Sequence, residues 1–74
     1  MRFSIDKVGH VAYLHLSEAS PGSAVKQVKC DGPHGGTVVL DFDAEGYLLG
    51  VELIGITNLL SPELLSKNDP AGQP

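Results

Sequence analysis

Hydrophobic and polar residues alternate with a period of two along most of this chain, in short runs separated by Gly, Pro and Asp. That period, with β-branched and aromatic residues inside the runs, predicts strands rather than helices. Residues 2–6 form a first strand, and residues 6–9 a turn in which Gly9 is expected to take the left-handed conformation. Residues 10–16 (HVAYLHL) form a second strand, and residues 17–23 (SEASPGS) a loop. Residues 24–30 (AVKQVKC) are a third and more polar strand, followed by the loop 31–36 (DGPHGG). Residues 37–42 and 47–54 are the most apolar strands, joined by 43–46 (DAEG). A four-residue hairpin loop is commonly built on a type I turn with positive φ at its last position, here Gly46.

Such a closure sets Phe42 opposite Tyr47, Leu40 opposite Leu49 and Val38 opposite Val51. One face of the hairpin is then apolar throughout, while Val39, Asp41, Leu48, Gly50, Glu52 and Ile54 make the other face mixed. The second strand is two-sided as well, with Ala12, Leu14 and Leu16 on one face and Val11, Tyr13 and His15 on the other. A sheet with one solvated face shows cleaner alternation. In the C-terminal segment Thr57 can cap a first turn, and Ser61, Pro62 and Glu63 are a cap, an N1 proline and a first-turn acid. The expected fold is mainly β (α+β): a small antiparallel, meander-like sheet of about five strands with a short C-terminal helix. Leu59, Leu60, Leu64 and Leu65 of that helix are expected to cover the hairpin's apolar face. Nothing remains for the opposite face, so a second copy of the chain is expected there, with Val11, Tyr13, His15, Val39, Leu48, Glu52 and Ile54 as interface residues. Lys26 and Lys29, on opposite faces of the third strand, mark it as a defended edge.

Length narrows the choice further. The chain has 74 residues, of which 68–74 (NDPAGQP) offer nothing to bury and read as a disordered tail, leaving one domain over 1–67. A chain of this size holds one marginal core. Five Lys and Arg against nine Asp and Glu give a net charge of −4. Phosphate neutralisation needs a basic patch, so neither nucleic acid nor an anionic membrane is an expected partner. Cys30 is the only cysteine, which excludes an internal disulfide and suits a reducing compartment. The first ten residues lack the apolar core of a signal peptide, and no run approaches the ~18 apolar residues of a membrane span. A cytoplasmic location is expected.

The segment 40–54, LDFDAEGYLLGVELI, resembles the signature of a family of small bacterial proteins, the domain of unknown function 2283 family. Asp41, Asp43, Gly46, Gly50 and Glu52 match its aspartate-rich strand end, its Asp-x-x-Gly turn and the Gly and Glu that follow. In the first half Asp6, Tyr13, Leu14 and Leu16 match, while Ile5, His10 and Ala12 stand where the family has tyrosine, aspartate and leucine. The resemblance spans about residues 2–60 and implies a small antiparallel β domain with a C-terminal helix. It brings no assigned activity; its genes look like companions of other small genes, which implies an antitoxin-like role.

Candidate chemistry is sparse. Residues 41–52 (DFDAEGYLLGVE) fit the spacing of a calcium loop, with acids at positions 1, 3 and 5, Gly at 6 and Glu at 12. Such a loop belongs between two helices, whereas strands flank this one, so a turn with solvated acids is the expected structure. His10, His15, Cys30 and His34 are the zinc-ligand types present, but no paired motif completes a four-donor set within one chain. Residues 34–37 (HGGT) look like an oxyanion loop without the GxSxG nucleophile that such a loop serves. The expected function is a non-enzymatic homo-oligomeric or protein-interaction module with no cofactor. The alternative is a binder of a small ligand or metal at a site formed between subunits, and a third reading places an interfacial enzyme site on His10, His15 or Glu52.

Overall fold

The structure is a computed structural model and describes residues 1–17 and 24–67; the expected tail and nearly all of the loop 17–23 lie outside those residues. The chain folds as strands β1 (Arg2–Asp6), β2 (Val11–His15), β3 (Lys26–Asp31), β4 (Thr37–Phe42) and β5 (Leu48–Ile54), then helices α1 (Ile56–Leu59) and α2 (Pro62–Lys67). All strand pairs are antiparallel, in the order β1-β2-β5-β4-β3. The sheet runs as a meander through β3, β4 and β5, and β5 then returns beside β2. The two most apolar strands thereby occupy interior positions, and β3, with its two lysines and every residue exposed, takes an edge. Among the described residues no helix is long and apolar enough to cross a membrane.

The β4–β5 register differs from the simple hairpin. Leu40 pairs with Val51 and Val38 with Leu53, while Phe42 pairs with Leu48 across a register shift beside Asp41. The cause is a longer turn and a bulge. Asp43 N–H donates to the Tyr47 carbonyl at 2.9 Å, and the Asp43 side chain accepts from the N–H groups of Glu45 and Tyr47 at 3.0 and 2.9 Å. The tie from 43 to 47 spends Tyr47 on the loop, and Leu49 is the extra residue, so Leu48 and Leu49 together oppose Phe42. Gly46 has φ 89° with open space where a side chain would go. A Gly46→Val variant should therefore pay backbone strain alone, about 1–2 kcal/mol, while Ala44→Val should change little. Urea denaturation of the two variants checks this. In the β1–β2 turn the left-handed residue is His10 (φ 59°), not Gly9, whose N–H instead donates to Asp6 Oδ1 at 3.0 Å.

The expected single helix is two. Leu60 is extended (φ −108°, ψ 144°), which ends α1, and the Ser61 hydroxyl accepts the Leu64 N–H at 3.1 Å to cap α2 ahead of Pro62. Thr57 caps nothing; the first N–H groups of the segment, on Gly55 and Ile56, donate to the His10 carbonyl at 2.8 and 3.1 Å. This clamp seats Ile56, which is 1% exposed. Leu59 lies against Gly32 and Gly36, where any Cβ would fall within 2.8 Å of its side chain. Gly36 of the HGGT segment and Gly32 ahead of it are thus spent on packing α1.

The registers sort the sheet into rows. On one face run Phe3–Leu14–Val51–Leu40–Val28 and Ile5–Ala12–Leu53–Val38–Cys30, one residue per strand across all five strands. On the other run Arg2–His15–Gly50–Asp41–Gln27 and Ser4–Tyr13–Glu52–Val39–Lys29. The helix leucines do not cover the first, apolar face. Of its ten row residues Ala12 alone is fully buried, Phe3 and Val28 are 38% and 41% exposed, and Leu14, Val38, Leu40, Val51 and Leu53 are half-buried. Two helices of four and six residues cannot lay a second layer on five strands, and α2 makes no extensive contact with any strand.

Candidate functional site

The second face gathers six polar side chains, those of Arg2, Ser4, Tyr13, His15, Gln27 and Asp41, into one network. It starts from Gly50. This residue sits on β5, the central strand, between His15 of β2 and Asp41 of β4. A Cβ there would lie 2.5 Å from Cε1 and from the hydroxyl of Tyr13. Its absence lets the Tyr13 ring cross β5 from β2 and donate its hydroxyl proton to Asp41 Oδ2 on β4, at 2.7 Å. Gln27 Nε2 of β3 donates to the other oxygen, Oδ1, at 2.8 Å. Asp41 is 4% exposed, and these two donors are what make a buried carboxylate tolerable in the middle of the sheet.

His15 continues the network toward β1. Its ring centroid is 4.5 Å from that of Tyr13 at an interplanar angle of 54°. Nδ1 lies 3.4 Å from Arg2 Nη2, and Nε2 lies 3.2 Å from Ser4 Oγ. A guanidinium nitrogen only donates, so Nδ1 accepts and the imidazole proton is on Nε2, donating to Ser4. The Ser4 hydroxyl then donates to the Tyr13 carbonyl at 3.5 Å. A serine nucleophile needs a free lone pair on the imidazole nitrogen facing it. Here that nitrogen carries the proton, so Ser4 and His15 form a positioning pair and not a nucleophile and base.

Burial, then the hydrogen bond to Asp41, then the charges of Asp41 and Glu52 push the Tyr13 phenol up to about 12 from 10.0. The neutral phenol is favoured in the folded state, so its contribution to stability is complete below pH 10 and is lost as pH rises through 12. Ultraviolet titration at high pH should therefore show one tyrosine ionising late and together with unfolding. Asp41→Asn removes both the acceptor charge and the repulsion, and should move that tyrosine down toward its ordinary range.

Six of the seven residues expected at an interface, Val11, Tyr13, His15, Val39, Glu52 and Ile54, fall on this polar face, and Leu48 stands at the bulge. Val39 is only 2% exposed within the single chain, and Tyr13 is committed to Asp41. The remaining chemistry-bearing residues are scattered. His10 is in the β1–β2 turn, His34 is exposed in the β3–β4 loop, and Cys30 is exposed on β3. The acids of the calcium-like spacing are separated by their roles: Asp41 holds Tyr13 and Gln27, Asp43 holds its own turn, and Glu52 lies beside Tyr13 in the register. Among the described residues no three His, Cys, Asp or Glu side chains gather as metal ligands would. Gly50, Gln27, Ser4 and Arg2 were not candidates from sequence. Their shared row positions become visible only once β5 is known to lie between β2 and β4. Compared with known proteins, the chain matches no family model, no curated protein and no solved structure.

Proposed function

We propose that this chain is a non-enzymatic self-association module whose simplest assembly is a two-fold dimer, joined through the apolar face. The observation that carries the reading is the pair of uncharged rows spanning all five strands with Ala12 alone fully buried. A sheet with one apolar face requires a second layer. The described helices do not supply one, and a second copy does, because the two apolar rows carry no charge, Lys26 stands beyond them at the β3 margin, and aligned sheets stack about 10 Å apart. The size suffices. Five strands at about 4.8 Å spacing and roughly six residues at about 3.3 Å give ~480 Å² per copy in projection, so a pair buries about 1,000 Å² before side-chain relief is counted. That reaches the lower bound of specific interfaces.

This moves the interface from the face expected from sequence to the opposite one. The helix leucines are too few to cover the hairpin's apolar face, while on the mixed face Tyr13, His15 and the buried Asp41 find partners within the chain. Membership of the domain of unknown function 2283 family is part of the proposal. Its support is that the matching positions have distinct tasks here: Asp41 and Gly50 in the Tyr13 crossing, Asp43 and Gly46 in the turn. A cytoplasmic location is proposed from the exposed Cys30 thiol, which keeps best in a reducing compartment. Sedimentation equilibrium at micromolar concentration tests the main reading. The expected mass is twice the 7.8 kDa of one chain, and a folded monomer overturns the proposal.

A further inference from the structure

Glu52 occupies the middle of the central strand on the polar face, between Tyr13 and Val39 in its row. It is half-buried, and among the described residues no hydrogen bond or ion pair reaches its carboxylate. Asp41, one strand away, has two donors; Glu52 has none. Its charge therefore has no fixed counter-charge among the described residues and is open to a cation from outside the chain. Beside it lies a cleft of about 180 Å³ lined by Ser4, Asp6, Val11, Tyr13 and Glu52 of this face and by the neighbouring strand residues Ile5 and Ala12. Two carboxylate residues, Asp6 and Glu52, are among the residues that line it, together with the aromatic Tyr13 and the apolar Val11, and no cationic residue is. Arg2, in the next row, is turned to His15, and Lys29, in the row of Glu52, lies two strands away at the β3 edge. The larger hollow of about 440 Å³, at Val25, Val28 and Phe42, lies at the edge beside the apolar rows and belongs with the proposed dimer face.

We propose that this cleft binds a primary ammonium group on a short aliphatic stem, of the kind a lysine side chain presents. The cleft is smaller than the roughly 300–1,000 Å³ of ordinary small-molecule sites, so it takes a side-chain-sized group. Glu52 supplies the counter-charge, and the face of the Tyr13 ring attracts a cation while accommodating methylenes. The Ser4 hydroxyl spends its proton on the Tyr13 carbonyl and one lone pair on His15, which leaves it a second lone pair to accept an N–H. A divalent metal would need about six oxygens, more than these side chains provide. Asp6 is already tied to its turn through Gly9 N–H.

The test is a titration of the full chain followed by amide NMR, using Nα-acetyl-lysine amide, n-butylamine and the uncharged isostere Nα-acetyl-norleucine amide. The expected result is saturable shifts at Ser4, Tyr13 and Glu52 with the two amines and none with norleucine. A charge-assisted contact of this kind should make Glu52→Gln weaken binding by about tenfold or more, with Glu45→Gln, in the exposed turn, as the unaffected control. Tighter binding of the lysine amide assigns the site to a protein partner, and equal binding of butylamine assigns it to free amines; both support the cleft. Equal shifts with norleucine, or an undiminished response in Glu52→Gln, overturn it. The site lies on the face opposite the proposed dimer, so the sedimentation mass of Glu52→Gln should equal that of the parent, and either proposal can fail without the other.

Discussion

Gly50→Ala is expected to destabilise the chain by about 2–4 kcal/mol, a loss that comes close to unfolding a domain of this size, whose whole stability is roughly 5 kcal/mol. The added methyl would sit 2.5 Å from two atoms of Tyr13 and 2.7 Å from the Leu14 carbonyl oxygen. Tyr13 must swing away, and overpacking of this kind costs about 1–3 kcal/mol. Its departure removes a donor from the buried Asp41 carboxylate, adding about 1–3 kcal/mol for the bond left unmade. The two costs share a cause, so they are coupled. In a Tyr13→Ala background the Gly50→Ala change should cost clearly less, leaving the contact with the Leu14 oxygen as the remainder. Urea denaturation of the four proteins closes the cycle. Additive effects, or a Gly50→Ala cost within about 0.5 kcal/mol, would mean that Tyr13 does not cross the central strand.

The strands themselves were legible because a period of two survives in every one of them; β1 and β4 run over the residues expected, and the others differ at their ends by one or two positions. Their order was not legible. Alternation says which residues share a face of one strand and nothing about which strand is the neighbour, and the placement of β5 between β2 and β4 brings Tyr13 to Asp41 from 28 residues away. The hairpin register slipped for a local reason, since one aspartate side chain, Asp43, extends the turn to Tyr47 and Leu49 bulges. Gly50 reads in sequence as a weak point in a strand. Only the neighbour's ring, pressed where its side chain would be, turns it into a requirement. The same applies to Asp41, which looks like a solvated turn acid and is the hub of the network. The helix leucines form a stripe by spacing, but the break at Leu60 divides them, and the cover they were expected to supply disappears.

Val51→Lys should convert the proposed dimer to a folded monomer. Val51 is at the centre of the apolar face, on the middle strand, with Leu14 on one side and Leu40 on the other. In a single chain that position is half-buried, so a lysine stem can lie along the sheet with its ammonium in water, and the fold should persist. In a face-to-face pair the same ammonium is trapped between layers with no carboxylate in either apolar row, and an unpaired buried charge costs several kcal/mol. A penalty of ~3 kcal/mol per copy would weaken the pair by more than a thousandfold. Sedimentation should then give the mass of one chain, with the circular dichroism spectrum kept. The melting temperature of the parent should rise with protein concentration, as linkage to association requires, and that dependence should vanish in the variant. Lys29→Glu, on the opposite face, should leave the mass at two chains. Should Val51→Lys fail to fold, Val28→Lys puts the charge at the exposed margin of the same row, where the single chain tolerates it. A two-chain mass for a folded variant of either kind would place the contact between copies somewhere other than this face.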